Sequence, residues 1–269
     1  MHALTMKELQ RFEVPARSLA VWWLGQMSFI LKSPAGKIVA IDPYLSNSCR
    51  QAAMEGGFDM DRQTPPPMAA SDLVGIDLYL LTHSHQDHLD PDTLRPYLQA
   101  GGRGPFVAPA ETVEKLCHHG VHASAIEMTW PNHCTLVGDL TIQATFAIPY
   151  SGDDLTHVGY LIGVAGGPVF YFTGDTAYHE ILGVAAGPHK PDVLVAVING
   201  GFRNMGPHEA ARLAKELDVK RVIPCHHDLF RDNMVPPQML RTNLMMYGIG
   251  DRYCLLEHAK PFVYTCEHV

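Results

Sequence analysis

IDLYLLTHSHQDHLDPDTL, residues 76–94, runs an apolar strand straight into a cluster of metal-binding side chains and out into a helix start. Ile76 to Leu81 has the length and composition of a buried strand. His83, His85, Asp87 and His88 then fall within six residues, where a buried strand of an α/β protein runs out and exposes its ligand-binding groups. His83 and His85 stand two apart in extended chain and point the same way, while Asp87 and His88 follow the bend and face a neighbouring point. One peptide can therefore serve two cations. Beyond it, Asp90 before Pro91 is a capping carboxylate ahead of an N1 proline, which predicts a helix that Pro96 limits to little more than a turn.

Working outward, LAVWWLGQMSFILKSPAGKIVAIDP (19–43) reads as three strands broken at Gly25-Gln26 and around Pro34 to Gly36, ending at Asp42. THVGYLIGVAGGPVFYFTGDTAY (156–178) has the same grammar and also ends on an acidic residue, Asp175, so the halves read as distant copies. Further buried strands are expected in 104–109, 139–148, 191–200 and 220–227. Helices are expected over GPHEAARLAKELD (206–218) and PPQMLRTNLMMYG (236–248), with a short amphipathic segment at the N-terminus. Strands in two similar halves, each feeding helices, predict one layered α/β domain over 1–269 with two central sheets and outer helices. The turn-rich stretch 46–70 is a lid-like insertion.

Composition narrows the function classes. Of 269 residues, 46% are apolar and 18% charged, against roughly 25% charged in an average globular protein, which excludes intrinsic disorder. A net charge of −8 without a basic stripe argues against a nucleic-acid polymer as partner. Six scattered cysteines form no framework and fit reduced thiols in a cytoplasm, and no apolar run approaches a membrane span or signal peptide. A homo-oligomer is left open. The 16 histidines nearly equal the 20 fixed positive charges, and imidazole is the commonest metal ligand.

A catalytic divalent ion needs ligands from more than one segment. Asp175, at a strand end, can bridge two cations or cap the following helix; His226, at another strand end, can complete the second site, with His227 pointing oppositely if the strand continues. His118 and His119 suit a helix C-terminus, His133 a loop, His179 the pocket rim and Cys225 the core. Imidazole and carboxylate ligands without thiolate suit manganese, zinc or iron. No serine elbow or P-loop is present, and Ser84 lies inside the metal motif without a separate base.

These residues, with LGQMSFILKSPAGKIVAIDPYLS upstream and AARLAKELDVKRVIPCHHDLF downstream, resemble the metallo-β-lactamase superfamily, and within it the L-ascorbate-6-phosphate lactonase family, over roughly 18–244. The resemblance implies a four-layer αββα sandwich and two divalent metal ions. It places His83 and His85 on the first ion, Asp87, His88 and His226 on the second, and Asp175 between them, with Asp42 ordering the histidine loop. Many members carry a ligand histidine after the strand equivalent to 139–149, where this chain has Tyr150, Ser151 and Gly152; the nearest substitute is His157, as third ligand or as a structural or substrate-facing histidine. The implied reaction is opening of a small anionic sugar-type lactone by a metal-bridging hydroxide, with Asp87 or His227 supplying the proton to the leaving group. Arg62 and Arg203 are candidate grips for the anionic group, or plain surface charge. A phosphodiesterase acting on a cyclic or small nucleotide is the alternative, and a non-catalytic binding protein on the same fold is disfavoured because all expected ligand positions but one are filled.

Overall fold

Side-chain alternation in the first strand sets the layering. In β1 (Ser18–Gly25), Leu19, Val21 and Trp23 join one core and Ala20, Trp22 and Leu24 another, so both faces of the strand are covered. A computed structural model describes residues 3–149 and 154–266. Among these, β1 pairs antiparallel with β2 (Ser28–Lys32), which pairs antiparallel with β3 (Ile38–Ile41). β4 (Leu78–Leu80), β5 (Phe106–Ala108) and β6 (Ile126–Met128) then add in parallel.

The second sheet repeats this plan. β7 (Cys134–Val137), β8 (Leu140–Phe146), β9 (Val158–Val164) and β10 (Val169–Phe172) form an antiparallel meander, and β11 (Val193–Val197) and β12 (Arg221–Cys225) add in parallel. A last strand, β13 (Pro261–Thr265), returns to the free edge of β1, giving orders β13-β1-β2-β3-β4-β5-β6 and β12-β11-β10-β9-β8-β7. The antiparallel-then-parallel scheme shared by both sheets is what the paired sequence runs reflect.

The sheets pack face to face. Phe29, Leu31 and Leu80 of one meet Tyr160, Phe172 and Cys225 of the other in a central core. Outside the first sheet lie α1 (Met6–Arg11), α3 (Pro91–Gln99) and α4 (Ala110–His118); outside the second lie α5 (Glu180–Ala186), α6 (Pro207–Glu216) and α7 (Gln238–Met246). The result is the expected αββα sandwich. The insertion carries α2 (Cys49–Glu55), and Arg62 bridges to Phe230 on the second half. All six cysteines are free thiols, and among the described residues no helix is long and apolar enough to cross a membrane.

One expectation fails. α3 runs nine residues through Pro96 rather than stopping after a turn. Asp90 caps it, and its buried face of Thr93, Leu94 and Tyr97 packs in the outer core, which offsets the hydrogen bond the proline cannot make. β6, β7 and β13 escape a sequence reading because each is short and half-exposed.

Two hydrogen bonds join the sheets beside the histidine loop. The Tyr160 hydroxyl donates to the Leu81 carbonyl at 2.7 Å, and the Val158 amide donates to the Thr82 carbonyl at 3.0 Å. Gly174 completes the junction at φ +62°, where a Cβ would lie 2.7 Å from the Val158 oxygen. Gly174→Ala is expected to lower unfolding stability by about 2–4 kcal/mol, from left-handed strain plus overpacking, read by urea denaturation.

Candidate metal centre

Every proposed ligand but His157 leaves the end of a strand or the loop after it. β4 delivers His83, His85, Asp87 and His88; β10 delivers Asp175; β12 delivers His226; and His157 enters β9. They converge at one edge of the sandwich.

Asp42 closes β3 and is fully buried. Its Oδ1 accepts from the Thr82 amide at 2.8 Å, and its Oδ2 accepts from the Thr82 hydroxyl at 2.5 Å and from His88 Nδ1 at 2.8 Å. With Nδ1 committed to that carboxylate, His88 turns Nε2 inward, 3.6 Å from Asp87 Oδ2 and 3.5 Å from Asp175 Oδ1. His226 Nε2 lies 3.2 Å from Asp87 Oδ2 and 3.3 Å from Asp175 Oδ2. Asp87, His88 and His226 thus offer three ligand atoms within 4.8 Å of one another.

His83, His85 and His157 form a second such group. His157 Nδ1 donates to the Asp175 backbone carbonyl at 3.3 Å, which leaves Nε2 as its ligand atom. His83 Nε2 lies 2.9 Å from His85 Nδ1. Asp42, His83 and His88 also lie within range of one another, but the Asp42 carboxylate is already saturated by protein donors.

A cation fits these atoms. His88 Nε2, His157 Nε2 and Asp175 Oδ1 are buried and make no hydrogen bond, a costly state for polar atoms unless a ligand takes them up. The two groups differ electrostatically. Burial pushes His83 well below the ordinary imidazole range and lowers His157 as well, which gives the neutral form that ligates metal. Burial also opposes charge on His88 and His226, but the carboxylates outweigh it: Asp87, Asp175 and Asp42 hold His88 well above its usual value, and Asp175 and Asp87 push His226 up to about 9. Asp87 and Asp175 are in turn held below the ordinary carboxylate range, because the two imidazoles overcome the burial penalty.

Two ordering residues have no counterpart in the sequence reading. Gln26 Nε2 donates to Asp87 Oδ2 at 3.3 Å and lies 3.2 Å from His226 Nδ1; Asn204 Nδ2 donates to Asp175 Oδ2 at 2.7 Å. The signal for Gln26 was a polar residue inside a wholly buried apolar run; Asn204 gave none beyond its neighbour Arg203.

Other expected residues lie elsewhere. His227 does not line the cavity at the centre: its ring stacks on Trp23 with centroids 4.6 Å apart, and Nδ1 lies 2.9 Å from Asp228 Oδ2, because His226 at φ +58° turns the chain. Arg62 is drawn into the insertion, where NH1 donates to the Tyr44 carbonyl at 2.7 Å and Nε to that of Thr64 at 3.0 Å. Arg203 is exposed and outside the cavity wall, which its neighbour Phe202 supplies. His179 caps α5, accepting the Ile181 amide at 3.1 Å, rather than lining the pocket. His118 is exposed at the end of α4, and His133 packs on Trp130 in its loop. Tyr150, Ser151 and Gly152 lie outside the described residues.

The model of the beta-lactamase superfamily domain matches residues 38–227, which span both ligand groups. The chain belongs to this superfamily. A UPF0173 metal-dependent hydrolase of Myxococcus xanthus is 31% identical over 221 residues, 78% of this chain and 71% of that one. "Probable L-ascorbate-6-phosphate lactonase UlaG" of Salmonella heidelberg is 26% identical over 96% of this chain and 82% of its own. The solved structure of Igni18, a metallo hydrolase from Ignicoccus hospitalis, superposes with a TM-score of 0.72 at 20% identity, covering 93% of this chain and 100% of that one, and so shares the fold. The chain is a metal-dependent hydrolase of the superfamily, and its His and Asp clusters are the groups that could bind the metals.

Asp42→Asn keeps the shape of the side chain but turns an amide toward donors. Metal affinity of the Asp87, His88 and His226 group is expected to fall about 10- to 100-fold, measured by chelator competition.

Proposed function

We propose that this hydrolase opens lactone rings, using two divalent cations, manganese or zinc with iron as a further candidate. The observation that carries the reading is the convergence of unpaired buried ligand atoms on a cavity that also exposes Asp87 and Asp175. The lactonase named among its relatives aligns over 96% of the chain and supports the choice of bond.

His83, His85 and His157 would hold one cation, and Asp87, His88 and His226 the other, with Asp175 beside both groups. Bound there, such ions supply Lewis acidity at the carbonyl and make water a stronger nucleophile near neutral pH. The chain's own residues do the positioning. Asp42 fixes the His88 tautomer, while Gln26 and Asn204 fix the faces of Asp87 and Asp175. The contacts to Gln26, His88 and His226 fall on Asp87 Oδ2, so Oδ1 is the atom we assign to take up a proton and pass it to the departing ring oxygen. The single domain carries residues 46–70 as a lid: Cys49 and Met60 of this segment wall the cavity and limit access of bulk water.

Protein loaded with manganese or zinc is expected to release acid from γ-butyrolactone in a pH-stat, and chelation should abolish the release. Hydrolysis of bis(p-nitrophenyl) phosphate with no turnover of any lactone would replace this reading by the phosphodiesterase one. Asp175→Ala is expected to lose bound metal and at least ~1,000-fold in kcat/KM together, whereas His118→Ala, distant and exposed, should retain both.

A further inference from the structure

The walls of the cavity around the metal-ligand atoms say more about the substrate than the ligands do. It encloses ≈ 300 Å³, at the small end of small-molecule sites. Cys49 and Met60 come from the insertion, Phe202 and Phe230 from loops of the second half, and Pro149 from the segment after β8. Phe58, further along the insertion, packs on Phe202 with ring centroids 5.9 Å apart. Phe202 takes φ +51°, ψ 33°, a left-handed conformation rare for an aromatic residue, and in it the ring forms part of the cavity wall.

Among the described residues, the polar wall groups other than metal-ligand candidates are neutral amides: Gln86, Asn204 and Asn233. No lysine or arginine is among the described residues that line the cavity, and residues 1–2, 150–153 and 267–269 contain neither. Three cations of the insertion and the loop facing it are engaged elsewhere, and Arg203, between Phe202 and Asn204, is exposed and outside the wall. Arg62 donates to backbone carbonyls, Arg231 pairs with Asp59 at 3.1 Å, and Arg50 faces Asp61 at 3.8 Å. A phosphate or carboxylate carried on the substrate away from the reacting carbonyl would be desolvated against sulfur, aromatic, proline and neutral amide groups, with no cation among the described wall residues to meet it.

We propose that the cavity selects an uncharged lactone bearing a short hydrocarbon substituent, with Phe202 and Met60 as the residues that set this specificity. The inference rests on the lactonase reading for its bond and on the walls for its substituent. The ring carbonyl lies toward the ligand groups, and the hydrocarbon arm packs between the insertion and Phe202.

Turnover by the metal-loaded protein is compared for γ-butyrolactone, γ-nonalactone and 6-phospho-gluconolactone, and binding of cyclopentanone and 2-pentylcyclopentanone, which cannot be hydrolysed, is measured by calorimetry. The kcat/KM for γ-nonalactone is expected to exceed that for the phosphorylated lactone by on the order of 100-fold. The pentyl ketone should bind about tenfold more tightly than its parent. In Phe202→Ala the ratio of nonalactone to butyrolactone kcat/KM should fall about tenfold, and in Met60→Lys the preference should shift toward the phosphorylated substrate. Faster turnover of the phosphorylated lactone, or a pentyl group that adds nothing to binding, overturns the proposal while leaving a lactonase in place. Tighter binding of the pentyl ketone with no lactone turned over supports the cavity assignment and removes the lactonase.

Discussion

The site depends on one buried carboxylate. Asp42 sits at φ +42° with its amide donating to the Leu80 carbonyl at 3.0 Å and its own carbonyl accepting from the Ser28 hydroxyl at 2.6 Å, so the backbone is held on both sides before the side chain does anything. A carboxylate in such a place is costly unless its oxygens are met. Three donors meet them, two from Thr82 and one from His88. In satisfying itself, Asp42 therefore fixes the first residue of the histidine loop and selects which nitrogen of His88 faces Asp87 and Asp175. The geometry of both ligand groups follows, because His83 is bonded to Thr82 and follows it directly in the chain.

The two groups are built for different electrostatic work. His83, His85 and His157 form an imidazole set in which His83 and His157 are kept neutral by burial, so a cation there meets ligands already in the binding form. Asp87, His88 and His226, with Asp175 beside them, form a set in which the carboxylates hold protons on the imidazoles. A divalent ion bound there would take the electrostatic place of those protons and compete with them. Gln26 and Asn204 are uncharged partners of the two carboxylates, which orients the oxygens without neutralising them.

Much of this was legible in the sequence because strand ends announce themselves. The loop 82–88, Asp175 and His226 each follow an apolar run that could only be a buried strand, and the paired grammar of 19–43 and 156–178 reports the shared plan of the two sheets. Side-chain direction after a left-handed residue was not legible. His227 is expected at the site if the chain turns one way and is stacked on Trp23 because it turns the other. Arg62 illustrates a different limit. An irregular insertion leaves backbone carbonyls unpaired by any sheet, and an arginine within reach donates to them before it can serve a ligand.

That use of arginine has a consequence for chemistry. The insertion is tied down by polar contacts on its outer side: Asp59 to Arg231, the Asp59 amide to Asp232, and Asn47 to the Arg62 amide. What it presents to the cavity is the sulfur of Cys49 and Met60, with Phe58 packed on the wall residue Phe202. Charge engaged in anchoring the insertion is unavailable for recognising an anion beside it, so on the proposed reading negative charge is met only at the groups that would bind metal, and the walls discriminate by shape and apolar contact. On that reading specificity lies in the loops around 46–70 and 200–203, while Asn204 keeps its hold on Asp175 and Asp42 its hold on the histidine loop.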